Sequence, residues 1–93
     1  MLNRKNKVLK VTGKVQGVFY RATAYEVAMK IGVTGFVMNL PDGSVLIEAE
    51  GTDEQLNQLM EWCNSGPQFA VVDEVIIIDG ELKGYTDFQI RRI

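Results

Sequence analysis

Residues 13–21 read Gly13-Lys14-Val15-Gln16-Gly17-Val18-Phe19-Tyr20-Arg21, a stretch that can bring backbone N–H groups and one guanidinium together. Glycine at 13 and 17 admits backbone conformations that a side chain forbids. Helical spacing begins at Arg21, so a helix N-terminus follows the loop directly. Its first N–H groups lack intrahelical partners, and the helix dipole is positive there. Concave runs of N–H groups favour phosphate, and the planar fork of Arg21 matches phosphate oxygens in bidentate fashion. The stretch is no P-loop, because Lys-Ser/Thr is missing, and it lacks the G-x-G-x-x-G dinucleotide spacing. On residue types alone, an anion cradle and a tight loop with a solvated arginine fit about equally well.

The rest of the chain restricts the chemistry. There is no histidine, which removes the commonest general base and metal ligand. Cys63 is the single cysteine, so an intramolecular disulfide and a CxxC pair are both excluded. It falls on a predicted core stripe, and Ser44 and Ser65 have no histidine to activate them. Asn39 is the second polar candidate. It shares strand parity with Gly35 and Val37, and its amide could orient a water by accepting one hydrogen bond and donating another. Taken alone, the simpler reading is that it bonds the backbone of the adjoining turn.

These residues need a scaffold, and 93 residues supply one hydrophobic core and hence one domain, 1–93. Residues 7–14 alternate, with Leu9 and Val11 on one side and Lys10 and Thr12 on the other, as in a half-buried strand. Residues 21–31 place Ala24, Ala28 and Ile31 on one helical face before Gly32, a C-terminal stop. Strands over 36–40 and 44–50 flank Pro41-Asp42-Gly43, a turn signal. Thr52 and Gln55 form a capping box for a helix whose stripe is Leu56, Leu59, Met60 and Cys63. Gly66-Pro67 ends it, residues 71–78 form another strand, and 88–93 form a possible extra one. The order β-α-β-β-α-β predicts an α+β, ferredoxin-like split β-α-β sandwich, an antiparallel sheet with two helices on one face. In that arrangement the first and second strands are parallel, which brings Asn39 close to the Gly13–Arg21 loop.

The residues also resemble a known family. Val15-Gln16-Gly17-Val18-Phe19-Tyr20-Arg21 and Gly32-Val33-Thr34-Gly35-Phe36-Val37-Met38-Asn39 are similar to the two signature segments of the acylphosphatases. The likeness continues through Asp42-Gly43-Ser44-Val45, Gly51, Trp62, Gly66-Pro67, Ala70, Phe88 and Ile90. It implies hydrolysis of acyl phosphates to a carboxylate and inorganic phosphate, without metal or cofactor. The family's catalytic arginine maps to Arg21 and its catalytic asparagine to Asn39. Phe36 stands where many members carry tryptophan, a change of packing. The resemblance implies a phosphate bound by N–H groups of Val15, Gln16, Gly17, Val18, Phe19 and Tyr20 and by Arg21. Asn39 then aims the attacking water. Phe19, Tyr25, Phe69, Tyr85 and Phe88 are expected to be packing residues.

Charge and composition set the expected partners. The formal net charge is −2, yet residues 1–30 carry seven cations against Glu26, and residues 31–82 carry ten acids and no Lys or Arg. That acidic middle disfavours a nucleic-acid backbone, whereas the basic third could attract a small anion. No apolar run is long enough to span a bilayer, and residues 1–7 lack the apolar segment of a signal peptide. The expectation is a cytoplasmic monomer acting on a small-molecule acyl phosphate, without nucleic acid or membrane. The alternative is a non-catalytic anion-binding or regulatory domain of the same fold.

Overall fold

The computed structural model describes residues 3–92. Strand β1 (Lys5–Lys14) leads into helix α1 (Tyr20–Ile31), then strands β2 (Thr34–Asn39) and β3 (Val45–Gly51). Helix α2 (Asp53–Ser65), strand β4 (Val71–Gly80) and strand β5 (Phe88–Arg91) complete the order. Most strands extend past the span that alternation suggests, because pairing continues beyond it. Lys5 still faces Gly51, and Thr34 still faces Glu50. Ile93, at the end of the expected last strand, lies outside the described residues.

The sheet runs β4-β1-β3-β2-β5. β1 and β2 both pair antiparallel with β3, so they run parallel to each other, and their C-terminal ends share one sheet edge. β5 adds parallel to β2, with Val37 opposite Ile90. The expected antiparallel sheet is therefore mixed at that end, since a strand arriving after the long β4–β5 crossover enters in the direction of β2.

Both helices cover the face formed by Leu9, Val11, Val37, Val45, Ile47 and Ala49, all fully buried. α1 contributes Tyr20, Ala24 and Ala28 to this core, and α2 contributes Leu56, Leu59 and Cys63. Each large apolar side chain withdrawn from water there is worth roughly 1.5–3 kcal/mol. Among the described residues no helix is long and apolar enough to cross a membrane.

Candidate active site

The register of β1 against β4 shifts between Thr12, which faces Glu74, and Gly13, which faces Val72, so the unpaired extra residue of the bulge is Asp73 on β4 and β1 runs on to Lys14. Val15, Val18 and Tyr20 plug into the core, anchoring the loop on three side chains. The residues between them turn the backbone sharply. Gly17 has φ 74 with nothing within 4 Å of a Cβ position, so the backbone angle, and not crowding, is what favours glycine there. Phe19 has φ 64, also left-handed, and its ring is 77 % exposed. Phe19 is thus no packing residue, and Phe69, at 67 % exposed, is not one either. Tyr20 faces inward and donates its hydroxyl to the Cys63 carbonyl at 3.0 Å.

The two helices begin in opposite ways. At α2 the Thr52 side chain accepts from Gln55 N, Gln55 returns a bond to Thr52 N, and Asp53 and Glu54 occupy the first turn. At α1 the N-cap is Phe19, which makes no side-chain cap, and the first turn holds no acid. The earliest helical backbone bond runs from Thr23 N to Phe19 O at 3.0 Å. Among the described residues, no backbone N–H from Gln16 to Tyr20 donates to a backbone carbonyl. Free N–H groups, a positive dipole end and no neutralising carboxylate suit an anion.

A cleft of about 270 Å³ opens at this helix end, just under the lower bound of about 300 Å³ for drug-sized ligand sites, a size that suits a small anion. Val15, Gly17, Phe19, Tyr20, Arg21 and Ala22 line one side, and Asn39, Ile90 and Arg92 line the other. The loop and Asn39, 18 or more residues apart in sequence, thus share one cleft. Its lining has two arginines and no acid. Among the described residues the ion pairs are Lys5–Asp53, Lys7–Asp79, Lys10–Asp42 and Lys83–Glu48, so neither arginine is engaged by a carboxylate. The Asn39 Oδ1 atom is buried and has no hydrogen-bond partner. An acceptor in that state is an open demand for a donor, and the turn does not supply one.

Gln16 and Val18 do not line the cleft with their side chains. Val18 is buried in the core. Gln16 Nε2 donates to Leu40 O and to Ser44 O, each at 2.8 Å, tying the loop to the β2–β3 turn. That turn is closed by Leu40 N donating to Ser44 O and by Ser44 N and Oγ donating to Asp42. The Lys10 ammonium, then the Ser44 hydroxyl and N–H, hold the Asp42 carboxyl well below the usual range. Burial pushes the Cys63 thiol up to about 12, so it is no nucleophile at neutral pH.

Sequence reasoning missed Ala22, Ile90 and Arg92 as lining residues. The signal for the last two lay in the final strand. Once β5 is placed parallel to β2, Ile90 and Arg92 take the parity of Val37 and Asn39 and face the loop.

Comparison with known proteins places the chain in one family and one fold. Residues 7–90 match the family model described as Acylphosphatase. The chain is 52 % identical over 82 residues to an acylphosphatase of Marinobacter nauticus, covering 87 % of this chain and 89 % of the relative. It is similar to the structure of an acylphosphatase from Coxiella burnetii, with a TM-score of 0.92, 36 % identity, and 96 % and 94 % of the two chains covered. It is also similar to an acylphosphatase from Bacillus subtilis, with a TM-score of 0.91, 32 % identity, and 94 % and 98 % covered.

Proposed function

The chain belongs to the acylphosphatase family, hydrolases of acyl phosphates, and on that premise we propose that the cleft at the N-terminus of α1 is its catalytic site. The phosphate sits in the loop, bound by N–H groups of Val15, Gln16, Gly17, Val18, Phe19 and Tyr20 and by the Arg21 fork. Asn39 holds a water in line with the bond to the acyl oxygen. The water oxygen bonds to phosphorus, the P–O bond to the acyl group breaks, and its electron pair leaves on the carboxylate. The water's proton passes to a phosphate oxygen, giving carboxylate and inorganic phosphate.

Carboxylate is a good leaving group, and phosphoryl transfer through a loose transition state depends on positioning and charge. The scheme therefore needs no protein nucleophile, strong base, metal or cofactor. The observation that carries it is the uncapped, acid-free start of α1 sharing one cleft with Arg21 and the unpartnered Asn39 amide. The same reading takes residues 1–93 as one cytoplasmic, monomeric domain acting on diffusible small molecules. It assigns no nucleic-acid role, in keeping with Phe36, which lies buried under the Arg91 guanidinium 4.3 Å from its ring centre.

The test is hydrolysis of acetyl or benzoyl phosphate by wild type, Arg21→Ala and Asn39→Ala in parallel. Arg21→Ala should weaken binding of substrate and inorganic phosphate and lower kcat, since a charge is lost from ground and transition states. Asn39→Ala should lower kcat by about 10²-fold or more with little change in phosphate affinity. Full turnover by either variant would sink its assignment, and loss of activity on adding a chelator would sink the metal-free scheme.

A further inference from the structure

The phosphate loop and the strand end carrying Asn39 belong to separate elements. The hydrolysis scheme requires a fixed offset between bound phosphorus and the water held by Asn39. A fraction of an ångström matters in such an arrangement. The Asn39 amide is not fixed by its own side-chain bonding, because its Oδ1 has no protein partner. Its position comes from its backbone. On one side that backbone is held by the ladder, where Asn39 faces Val45.

On the other side stands Gln16. Its Nε2 directs its two hydrogens to Leu40 O and Ser44 O, both at 2.8 Å. Leu40 follows Asn39 directly, and Leu40 N donates to the same Ser44 carbonyl at 2.9 Å. A single amide nitrogen in the middle of the phosphate loop thus closes on both ends of the turn beside Asn39. Two converging carbonyls require two donors from one atom, which a glutamine amide supplies and a carboxylate does not.

We infer that the Gln16 side chain is a positioning residue that sets the distance between the phosphate cradle and the water-holding Asn39. Its backbone N–H serves the cradle and its side chain serves the water. The inference rests on the proposed role of Asn39, and the experiment separates the two.

The measurements are kcat and KM for acetyl phosphate and the inhibition constant of inorganic phosphate. They are made on wild type, Gln16→Ala, Gln16→Glu, Asn39→Ala and the Gln16→Ala/Asn39→Ala double variant. Gln16→Ala is expected to lower kcat by about tenfold or more, with the phosphate inhibition constant within about twofold of wild type because Arg21 and the loop N–H groups remain. In the Asn39→Ala background the same substitution should change kcat by less than about twofold, since no held water is left to misplace. Gln16→Glu is nearly isosteric and keeps the test available should the alanine variant fold poorly. At neutral pH its carboxylate opposes two carbonyls and kcat should be low. As the pH falls toward about 4, the protonated form regains one O–H donor, and kcat relative to wild type should rise.

Equal kcat losses from Gln16→Ala in both backgrounds, or a phosphate inhibition constant that rises in step with the kcat loss, would overturn the proposal. Gln16 would then merely prop up the loop. Full turnover by Asn39→Ala alone overturns instead the assignment beneath it, and the proposal falls with that assignment.

Discussion

Phe19 sits in the left-handed region at φ 64 with most of its ring in solvent, so neither backbone preference nor packing accounts for a phenylalanine there. A side chain in that conformation stores about 1–3 kcal/mol of strain, and glycine would relieve it at an entropic cost of about 0.5–1 kcal/mol. Phe19→Gly should therefore raise stability by about 1 kcal/mol in urea unfolding, with the exposed ring contributing little to lose. Acyl phosphate hydrolysis should fall at the same time, because the loop N–H groups are aimed by that strained turn. A variant both less stable and fully active would contradict this account. Neighbouring Phe19 and Tyr20 are indistinguishable by residue type, and helical spacing read from Arg21 onward leaves both outside the helix. The structure starts α1 at Tyr20, which sends that ring inward and the preceding one outward.

Strand β2 carries Asn39 at its end, and its entry depends on Gly35. That residue has φ +135, and an added Cβ would stand 1.9 Å from the Glu48 carbonyl oxygen of β3. Neither β2 nor β3 can move aside without breaking the pairing of Gly35 with Ala49. Gly35→Ala should cost about 2–5 kcal/mol, the sum of overpacking and backbone strain, read as a lowered urea midpoint. Surviving enzyme should lose turnover before phosphate affinity, since the strand end is displaced while the loop is not. The Thr52–Gln55 capping box was legible as a pattern and is formed in full. Nothing in the local sequence of α1 distinguishes an N-terminus left open for a ligand from one that is merely poorly capped.

At the scale of the molecule, residues 81–87 lead from β4 at one edge of the sheet to β5 at the other. They are fastened by Glu50, only 1 % exposed. Its carboxylate accepts from Lys83 N at 2.7 Å, from Gly84 N and Tyr85 N at 3.1 Å, and from Asn6 Nδ2 at 2.8 Å. Glu48 beside it accepts from Asn6 and from the Lys83 ammonium. Burial alone would push both carboxyls up. For Glu50 the Asn6 amide and the three backbone N–H groups outweigh burial, and for Glu48 the Lys83 ammonium and Asn6 do, so both end below the ordinary value.

A carboxyl depressed in the folded state contributes stability that is complete above its unfolded pKa and is lost as pH falls through the folded one. Thermal melts should accordingly be flat from neutral pH to about 5 and fall below about 4. Glu50→Gln should melt lower at neutral pH and show a shallower acid decline. An acid profile identical to wild type would show that this carboxylate is not a source of the decline. The fastening also matters for the cleft, because this connection delivers β5 and with it Ile90 and Arg92.

The sequence by itself determined the element order, the β2–β3 turn, the cap of α2, and the loop and asparagine that resemble a family's signature. All of these are written in short-range patterns: periods of 2 and 3.6, turn residues, and motif spacing. Only the tertiary structure decided that Gln16 reaches the turn 24 and 28 residues away. It also decided that Glu50 is roofed by a segment some 33 residues on, and that Ile90 and Arg92 wall the site. Those contacts depend on strand register and on which edge the last strand joins. Both are settled by burying one common core and pairing backbone groups across the sheet, and no window of neighbouring residues encodes them. The Gly13–Arg21 stretch shows the division plainly. Its chemistry is readable in line, whereas its partners are assembled from the end of β2, the β2–β3 turn and the end of β5.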